Sequence, residues 1–296
     1  MKPRRLAIAS VALILALGCS HSGVPVPSLS AAASADSSAK RGEYIVRTVS
    51  VCGHCHSADP KNADGPLSGG REFADWRVGV ARASNLTPDR ETGLGTWSEA
   101  EIVRAIRNGE RKDGRLLAPV MPYGWFHEMS DADALAVARY LLSLSPVRNE
   151  VKQSPSLAFK LGKLFLLHPL PAVTVDATPP SESVRYGAYL TQHAGLCADC
   201  HTERSGLLQK PDLRRLFAGM NHPPKGFPAR PTNITPDPDA GIGKWSEADF
   251  VRALRTGITP DGDKLHPFMP WPEFSRMTDD DLHAIYAYLR TVTPMR

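Results

Sequence analysis

The sequence predicts an all-α fold made of two tandem domains, and three observations support this. Residues 85–109 reappear as residues 233–257, at an offset of 148, so the chain contains a long internal repeat. Each copy carries the residues that begin and end helices, which are serine or threonine caps and closing glycines. Neither copy shows a convincing alternation of apolar and polar residues or a hairpin turn, so a sheet is not expected.

The N-terminal part of the chain has the composition of an export segment. Three basic residues precede the apolar run 6–17, which is shorter than the roughly 20 residues of a membrane-spanning helix. We therefore predict a signal peptide over residues 1–18. Cys19 ends the sequence LALGC, which resembles a bacterial lipoprotein box, so we expect Cys19 to be lipidated; an ordinary cleaved leader is the alternative. Residues 19–40 are rich in serine and alanine and predict a flexible tether.

The repeat sets the expected domain boundaries. Residues 41–149 form the first domain and residues 184–296 the second, and each is long enough for a compact domain. The joining segment 150–183 contains the apolar stretch 156–173, which is interrupted by Lys160, Lys163 and Pro169. We expect this segment to pack across both domains, with membrane contact as the alternative.

Both domains show the same helix signals. A helix that begins with a capping box and ends at a glycine is predicted in each copy, by Ser98, Glu101 and Gly109 in the first and by Ser246, Asp249 and Gly257 in the second. A final helix follows in each, capped by Ser130 or Thr278.

The charge of the chain excludes nucleic acid as a partner. The formal net charge is +4, and three positive charges lie in the predicted leader, so the remainder carries 4 − 3 = +1. No basic tract remains to bind phosphates.

The cysteines carry the main chemical signal. Five occur, and the last four form two CxxCH motifs, which leaves Cys19 alone. A zinc ribbon would need its second pair about 15 to 20 residues away, and a thioredoxin-type pair would need a βαβ context and gives no reason for the histidine. Covalent haem explains all three residue types, since two thiols form thioethers and the adjacent histidine binds iron. We therefore predict two haem c groups, attached at Cys52, Cys55, Cys197 and Cys200, with His56 and His201 as proximal iron ligands.

The repeat also selects candidate ligands for the far side of each iron. Met121 and Met269 are matched by the 148-residue offset and lie in PVMP and PFMP, where prolines stiffen the loop. Met129 and Met277 are matched too, but each precedes a helix cap, where an apolar residue is expected to pack. His266 is the alternative ligand. His54 and His193 have no histidine at the matching position, so we expect them on the surface.

The chain resembles a known family through these motifs together. Two CxxCH groups, each followed by an N-[LI]-T-P-D block with a tryptophan and then by MP-[YW], are similar to the cytochrome c subunits of bacterial membrane-bound alcohol and gluconate dehydrogenases. Members of that family usually carry three haems, whereas this chain has two motifs. The resemblance implies two tandem cytochrome c-like domains. It also implies that these residues line the haem edge, although they could instead build a turn and a core aromatic: Asn85, Thr87, Trp97, Asn233, Thr235 and Trp245.

The predicted function is electron transfer by an exported, envelope-located dihaem cytochrome with histidine and methionine ligands. The expected partners are a dehydrogenase, a soluble cytochrome or an oxidase, together with a membrane reached through the lipid on Cys19. A dihaem enzyme such as a peroxidase or a thiosulfate dehydrogenase is the main alternative, and it would need one iron with an open position. A second alternative is a lipoprotein without haem that is cross-linked by two disulfides.

Overall fold

The computed structural model describes residues 35–59, 61–165, 167–206, 209–223 and 229–296. The predicted signal peptide, Cys19 and most of the tether therefore lie outside the described residues. Among the helices that are described, none has the length and apolar character needed to cross a bilayer.

The first repeat contains five α-helices around one core. They are α1 (Ala35–Tyr44), which continues into a π-helical segment (Ile45–Val49), α2 (Gly53–His56), α3 (Glu99–Asn108), α4 (Tyr123–Phe126) and α5 (Asp131–Ser143). The predicted start of α3 is confirmed, because the Ser98 side chain accepts a hydrogen bond from the Glu101 amide and the Glu101 carboxylate accepts one from the Ser98 amide. The helix ends at Gly109, whose φ of 70° is the left-handed conformation that glycine adopts freely.

Within the described residues, a three-stranded sheet in the first repeat and a two-stranded sheet in the second correct the all-α prediction. Strands β1 (Glu72–Asp75) and β2 (Gly79–Arg82) form an antiparallel pair, and β3 (Ser154–Pro155) joins the edge of β2. These strands are only two to four residues long, and the third comes from a segment far along the chain. Such short, non-local pairing leaves no periodic signal in the sequence.

The segment between the repeats lies against the first repeat. After β3 it forms helix α6 (Leu157–Phe165), and then an extended stretch whose backbone bonds to the end of α3 and the start of α5. The side-chain amide of Asn108 donates to the carbonyls of Leu170 and Pro171, and the amide of Asp131 donates to the Val175 carbonyl. This stretch is therefore fastened along the outside of the first core.

The second repeat has the same helices in the same order. They are α7 (Ser183–Tyr189), which continues into a π-helical segment (Leu190–Ala194), α8 (Cys197–His201), α9 (Glu247–Thr256), α10 (Trp271–Phe274) and α11 (Asp279–Leu289). In the described residues between α8 and α9 lie the short antiparallel strands β4 (Arg204–Ser205) and β5 (Lys210–Pro211) and a 3₁₀ turn, Leu213–Arg215. The capping box of α9 and its closing Gly257 are confirmed as well.

Each repeat supplies most of one hydrophobic core, to which its first and last helices contribute at a close crossing, and Val49 and Val51 of the first repeat belong to the core of the second. At Gly42 of α1, an added Cβ would lie 2.0 Å from the Ala136 carbonyl oxygen of α5. At Gly187 of α7, it would lie 1.9 Å from the Ala284 oxygen of α11. Only glycine permits this approach. Residues Ala33–Arg296 nevertheless form one compact unit, so the two repeats are packed together, and the boundaries 41–149 and 184–296 stay predictions.

Candidate haem-attachment sites

Both CxxCH motifs form a short helix that turns their reactive side chains to one side. In the first, α2 begins directly after Cys52, so Cys52, Cys55 and His56 stand at positions i, i+3 and i+4. Side chains with this spacing lie on the same face of a helix. In the second motif, α8 includes Cys197, Cys200 and His201 with the same spacing.

Both motif histidines are oriented by a backbone carbonyl. The Nδ1 atom of His56 lies 2.8 Å from the Ser84 oxygen, and Nδ1 of His201 lies 2.7 Å from the Thr232 oxygen. Because a carbonyl only accepts, Nδ1 carries the proton, and Nε2 keeps the lone pair that binds a metal. Burial lowers the pKa of both imidazoles, which keeps them neutral. This is the arrangement that an axial haem ligand requires.

The four motif cysteines carry free thiols. Burial raises the pKa of Cys52 and Cys197 to about 12 and moves the pKa of Cys55 and Cys200 upward as well. A catalytic redox pair works through a thiolate and has a lowered cysteine pKa. The environment of these thiols therefore disfavours thioredoxin-type chemistry. Over the part of the chain that the structure describes, no group of three or more His, Cys, Asp or Glu side chains is placed to hold a metal ion.

The two candidate methionines sit in matching turns beside the motif cysteines. Met121 lies in a turn closed by hydrogen bonds from its own amide to Ala118 and from the Tyr123 amide to its carbonyl, and it packs against the same core as Cys52. Met269 repeats the turn and packs against the second core together with Cys197. The structure thus brings each methionine to the core that holds its motif. Coordination of iron by either sulfur stays a prediction.

The other matched methionines are core residues. Met129 and Met277 are buried, with 1% and 4% of their surfaces exposed, and each immediately precedes the cap of its final helix. The expectation that they pack in the cores is confirmed, and the expectation that they do not bind iron stays a prediction.

The MP loops are held in place by the glycines that end α3 and α9. The ring of Tyr123 lies directly over Gly109, where an added Cβ would come within 2.8 Å of it. The ring of Trp271 covers Gly257 in the same way, at 2.5 Å from the position of an added Cβ. The aromatic residue of the MP-[YW] motif therefore fixes the loop that carries the methionine.

The asparagine and threonine of each N-[LI]-T-P-D block fasten a loop to the segment after the last helix. Asn85 donates to the Val147 carbonyl at 2.7 Å and accepts from the amide and hydroxyl of Thr87. Asn233 donates to the Met295 carbonyl at 2.6 Å and accepts from the Thr235 amide. We call each of these arrangements the Asn-Thr clamp. These contacts support the loop-building role, and the role at the haem edge stays a prediction.

The tryptophans of these blocks are half-buried at the margins of the cores. Trp97 packs against the first core and Trp245 against the second. The Trp245 carbonyl also accepts a hydrogen bond from the Tyr286 hydroxyl at 2.9 Å. Their contact with haem likewise stays a prediction.

Sequence reasoning missed an interface that brings the two CxxCH segments together. Ser50, just before the first motif, donates through its hydroxyl to the Ala194 carbonyl, just before the second. The prediction that His54 and His193 are surface residues is wrong. His54 contacts Glu273 of α10, with 3.3 Å between Nε2 and Oε2, and Nδ1 of His193 lies 3.2 Å from the carbonyl oxygen of Trp125 in α4. The segment around each CxxCH motif therefore contacts the short helix of the other repeat that follows the candidate methionine, which is α10 for the first motif and α4 for the second.

A reciprocal pair of tyrosine contacts closes the same interface. Tyr44 donates to the carboxylate of Asp281, and Tyr189, at the matching position of the second repeat, donates to Asp133 at 2.7 Å. Burial raises the pKa of both tyrosines, so the phenols stay protonated and donate. The tyrosines and aspartates match at the 145- and 148-residue offsets, a signal that could have identified them from the sequence.

Comparison with known proteins decides the family. A family model described as "Cytochrome c" matches residues 187–293. A "Diheme cytochrome c-type" protein of Cereibacter sphaeroides is 32% identical over 98% of both chains. This chain belongs to the c-type cytochrome family.

Other relatives of this cytochrome are subunits of larger enzymes. It is 32% identical to the gluconate 2-dehydrogenase cytochrome c subunit of Pantoea cypripedii, over 87% of this chain and 60% of that protein. It is 30% identical to the cytochrome c subunit of the quinone-dependent alcohol dehydrogenase of Gluconacetobacter polyoxogenes, over 86% and 56%. The cytochrome thus spans less than two thirds of these subunits. As a family member it binds haem c covalently and takes part in electron transport, and its thiol pairs and oriented histidines fit that group.

Proposed function

We propose that this cytochrome carries electrons through two covalent haems, one in each repeat, with histidine and methionine as iron ligands. The observation that carries the proposal is the duplicated arrangement of a CxxCH helix, a histidine held through Nδ1, and a methionine on the same core. When bound, haem supplies one-electron redox chemistry at its iron. A methionine on the far side would occupy the position at which oxygen or peroxide binds, which favours a carrier over an enzyme.

The interface supports an internal relay. Ser50 and Ala194 contact each other directly, and they lie two and three residues before the motifs that would attach the haems. Closely spaced centres allow an electron accepted by one repeat to pass to the other. We infer that the partner on one side is a dehydrogenase, as the names of the relatives suggest, and that a soluble cytochrome or an oxidase takes the electrons on the other.

We also propose that the chain is exported and anchored to a membrane of the cell envelope. The leader pattern over residues 1–18 and the lipoprotein-like sequence before Cys19 support this part of the proposal. Mass spectrometry of the purified N-terminus tests it: a diacylated Cys19 is expected, and an unmodified N-terminus would contradict lipidation.

The ligand assignment is tested by matched methionine-to-leucine variants. Met121→Leu and Met269→Leu are each expected to remove the methionine-to-iron absorption band of one centre. Each should also lower that centre's midpoint potential by on the order of 0.1 V, because a thioether favours reduced iron. Denaturing gels stained for haem should still show covalent attachment.

Met129→Leu and Met277→Leu are the controls, since both residues are core methionines and leucine conserves their volume. These controls should leave spectra and potentials unchanged. An unchanged spectrum in Met121→Leu would contradict its role as a ligand, and a high-spin ferric signal in the native protein would instead favour a dihaem enzyme. Haem quantification that gives other than two groups per chain would contradict the dihaem proposal.

A further inference from the structure

One apolar surface of the first repeat is solvent-exposed although it is rigidly built. Trp76, on the turn between β1 and β2, is 72% exposed, and Leu157 and Leu161 of α6 are 70% and 50% exposed. The two leucines are spaced i, i+4 and so share one helix face. We call these three residues the Trp76–Leu161 surface.

The turn and the helix are joined into one unit by Ser156. Its amide donates to the Val78 carbonyl at 3.1 Å, and its hydroxyl donates to the Arg77 carbonyl at 2.6 Å. The same hydroxyl accepts a hydrogen bond from the Phe159 amide at 3.0 Å and thereby caps the first turn of α6. The exposed leucines therefore belong to a helix that is held on the strands.

The opposite face of α6 is already occupied. Phe159 is buried, with 6% of its surface exposed, and the ammonium of Lys163 lies 5.0 Å from the centre of its ring. The helix thus has a docked face and an outward face, and the leucines of the outward face are not needed for packing within the repeat.

The charge on the α6 part of this surface is positive, whereas Trp76 on the strand turn lies between Asp75 and Arg77, which pair with each other. Residues 151–175 contain no aspartate or glutamate but include Lys152, Lys160 and Lys163. Exposed Lys160 flanks the two leucines on α6. Tryptophan and leucine beside lysine are the side chains that enter the headgroup region of a bilayer while the ammonium groups meet lipid phosphates.

The second repeat provides a contrast. Its exposed Leu213 also lies between a paired aspartate and arginine, Asp212 and Arg214 at 2.9 Å, as Trp76 does. Leu213 stands in a three-residue 3₁₀ turn, however, whereas Leu157 and Leu161 stand on an α-helix that carries lysines. A second exposed leucine therefore exists in the same chain without the features that would suit an anionic surface.

We propose that the Trp76–Leu161 surface, with Lys160, binds the interface of a membrane containing anionic phospholipid. This contact is separate from lipidation of Cys19 and would orient the cytochrome at the membrane, with the first repeat and its linker facing the lipid. The apolar side chains enter the interface, and the lysines give the contact its preference for negative headgroups.

The test uses haem-loaded protein without the lipid anchor. Residues 20–296, which include the whole compact unit, are exported behind a conventionally cleaved leader. Flotation is measured with phosphatidylcholine vesicles and with vesicles that also contain phosphatidylglycerol, at low and high salt. The native sequence is expected to float with the anionic vesicles and to lose much of this binding at high salt.

Variants separate the surface from general stickiness. The double variant Leu157→Glu, Leu161→Glu should weaken vesicle binding by about tenfold or more, and Trp76→Ser and Lys160→Glu should each weaken it by a smaller factor. Leu213→Glu and Lys210→Glu are the matched controls on the second repeat and should bind like the native sequence. Haem spectrum and thermal unfolding, measured on every sample, identify a variant that fails to fold, and Lys160→Glu remains as a purely surface change.

Three results would overturn the proposal. The first is that the native sequence does not float with anionic vesicles. The second is that the control variants lose as much vesicle binding as the surface variants. The third is that the Leu157/Leu161 double variant keeps its vesicle binding but is no longer reduced by a partner dehydrogenase, which would make the surface a protein contact. None of these results affects the haem assignment, because haem content and midpoint potentials are measured independently of vesicle binding.

Discussion

The two repeats agree where helices and loops pack closely and differ where the chain faces solvent. Between the CxxCH helix and the Asn-Thr clamp, the first repeat has β1 and β2, and β3 pairs with them from the linker. The second repeat has β4, β5 and a 3₁₀ turn in the same interval. The offset between the copies changes from 145 to 148 in this interval. After the clamp, the offset stays constant through the final helix.

The shared features are those that leave little room for change. The histidine-to-carbonyl bonds differ by 0.1 Å between the copies, at 2.8 and 2.7 Å. The glycines that end α3 and α9 have φ angles of 70° and 71°. Each of these features positions a predicted haem ligand, either the histidine or the loop that carries the methionine. The variable interval, in contrast, contains short strands and turns, and in the first repeat it includes the exposed Trp76, although Leu67 and Phe217 anchor the interval in the two cores.

The largest expected effect concerns the glycines at the helix crossings. Gly42→Ala or Gly187→Ala would place a methyl carbon about 2 Å from a backbone oxygen of the partner helix, so the helices must separate. We expect each change to lower the free energy of unfolding by about 3 kcal/mol or more, and haem incorporation to fall with it. Urea unfolding and haem staining measure the two effects.

Gly124→Ala is the control for this comparison. Gly124 lies within α4, and an added Cβ there has no neighbour within 4 Å. Alanine should therefore be neutral or stabilise by a few tenths of a kcal/mol. Similar losses at Gly42 and Gly124 would show that the close crossing does not limit stability.

The helices and the site motifs were predictable because their signals are local or repeated. The caps at Ser98 and Ser246 lie three residues from their partners, and the CxxCH motifs were found by spacing alone. The three-stranded sheet was missed because β3 reaches β2 from more than 70 residues away. The interface roles of His54 and His193 were missed for a different reason: comparing the copies at a fixed offset finds only residues that recur at matching positions, and the matching residues are Asp199 and Thr48. Each histidine pairs with a glutamate of the other repeat, Glu273 for His54 and Glu128 for His193, but from positions that do not match.

The second expected effect separates the two tyrosine-aspartate pairs at the interface. Asp133 accepts two hydrogen bonds from the Arg41 guanidinium, at 2.9 and 2.8 Å, as well as the one from Tyr189. At the position matching Arg41, the second repeat has Tyr186. Among the described residues no ion pair is formed by Asp281, which is 4% exposed. The two tyrosine-aspartate pairs thus differ in that the Asp133 carboxylate also pairs with a guanidinium, whereas Asp281 forms no ion pair within the described residues.

Asp133→Asn and Asp281→Asn measure this asymmetry. Both aspartates hold the same place in the first turn of their helices, so the change affects both helix starts alike. We expect a loss of about 2 kcal/mol at Asp133, where the Arg41 charge loses its partner, and about 1 kcal/mol or less at Asp281. Urea unfolding of the haem-loaded protein gives both values. Equal losses, or additive effects of Arg41→Gln and Asp133→Asn in a double-mutant cycle, would contradict a role for the charge.

The smallest expected effect concerns a hydroxyl that only the first Asn-Thr clamp has. The Thr92 hydroxyl donates to Asp89 at 2.7 Å and accepts from the Asn85 side chain at 3.1 Å and the Asn149 amide at 3.0 Å. The matching residue of the second repeat is Ala240, so Thr92→Ala gives the first clamp the residue of the second. We expect a loss of about 1 kcal/mol in the free energy of unfolding, with haem content unchanged, because Asn85 keeps its bond to the Val147 carbonyl.

Thr96→Ala, at an exposed position on the same loop, is the control and should be neutral. If Thr92→Ala instead released the haem of the first repeat, this hydroxyl would be essential to the site, and the second repeat would have to replace it by contacts other than those of its clamp.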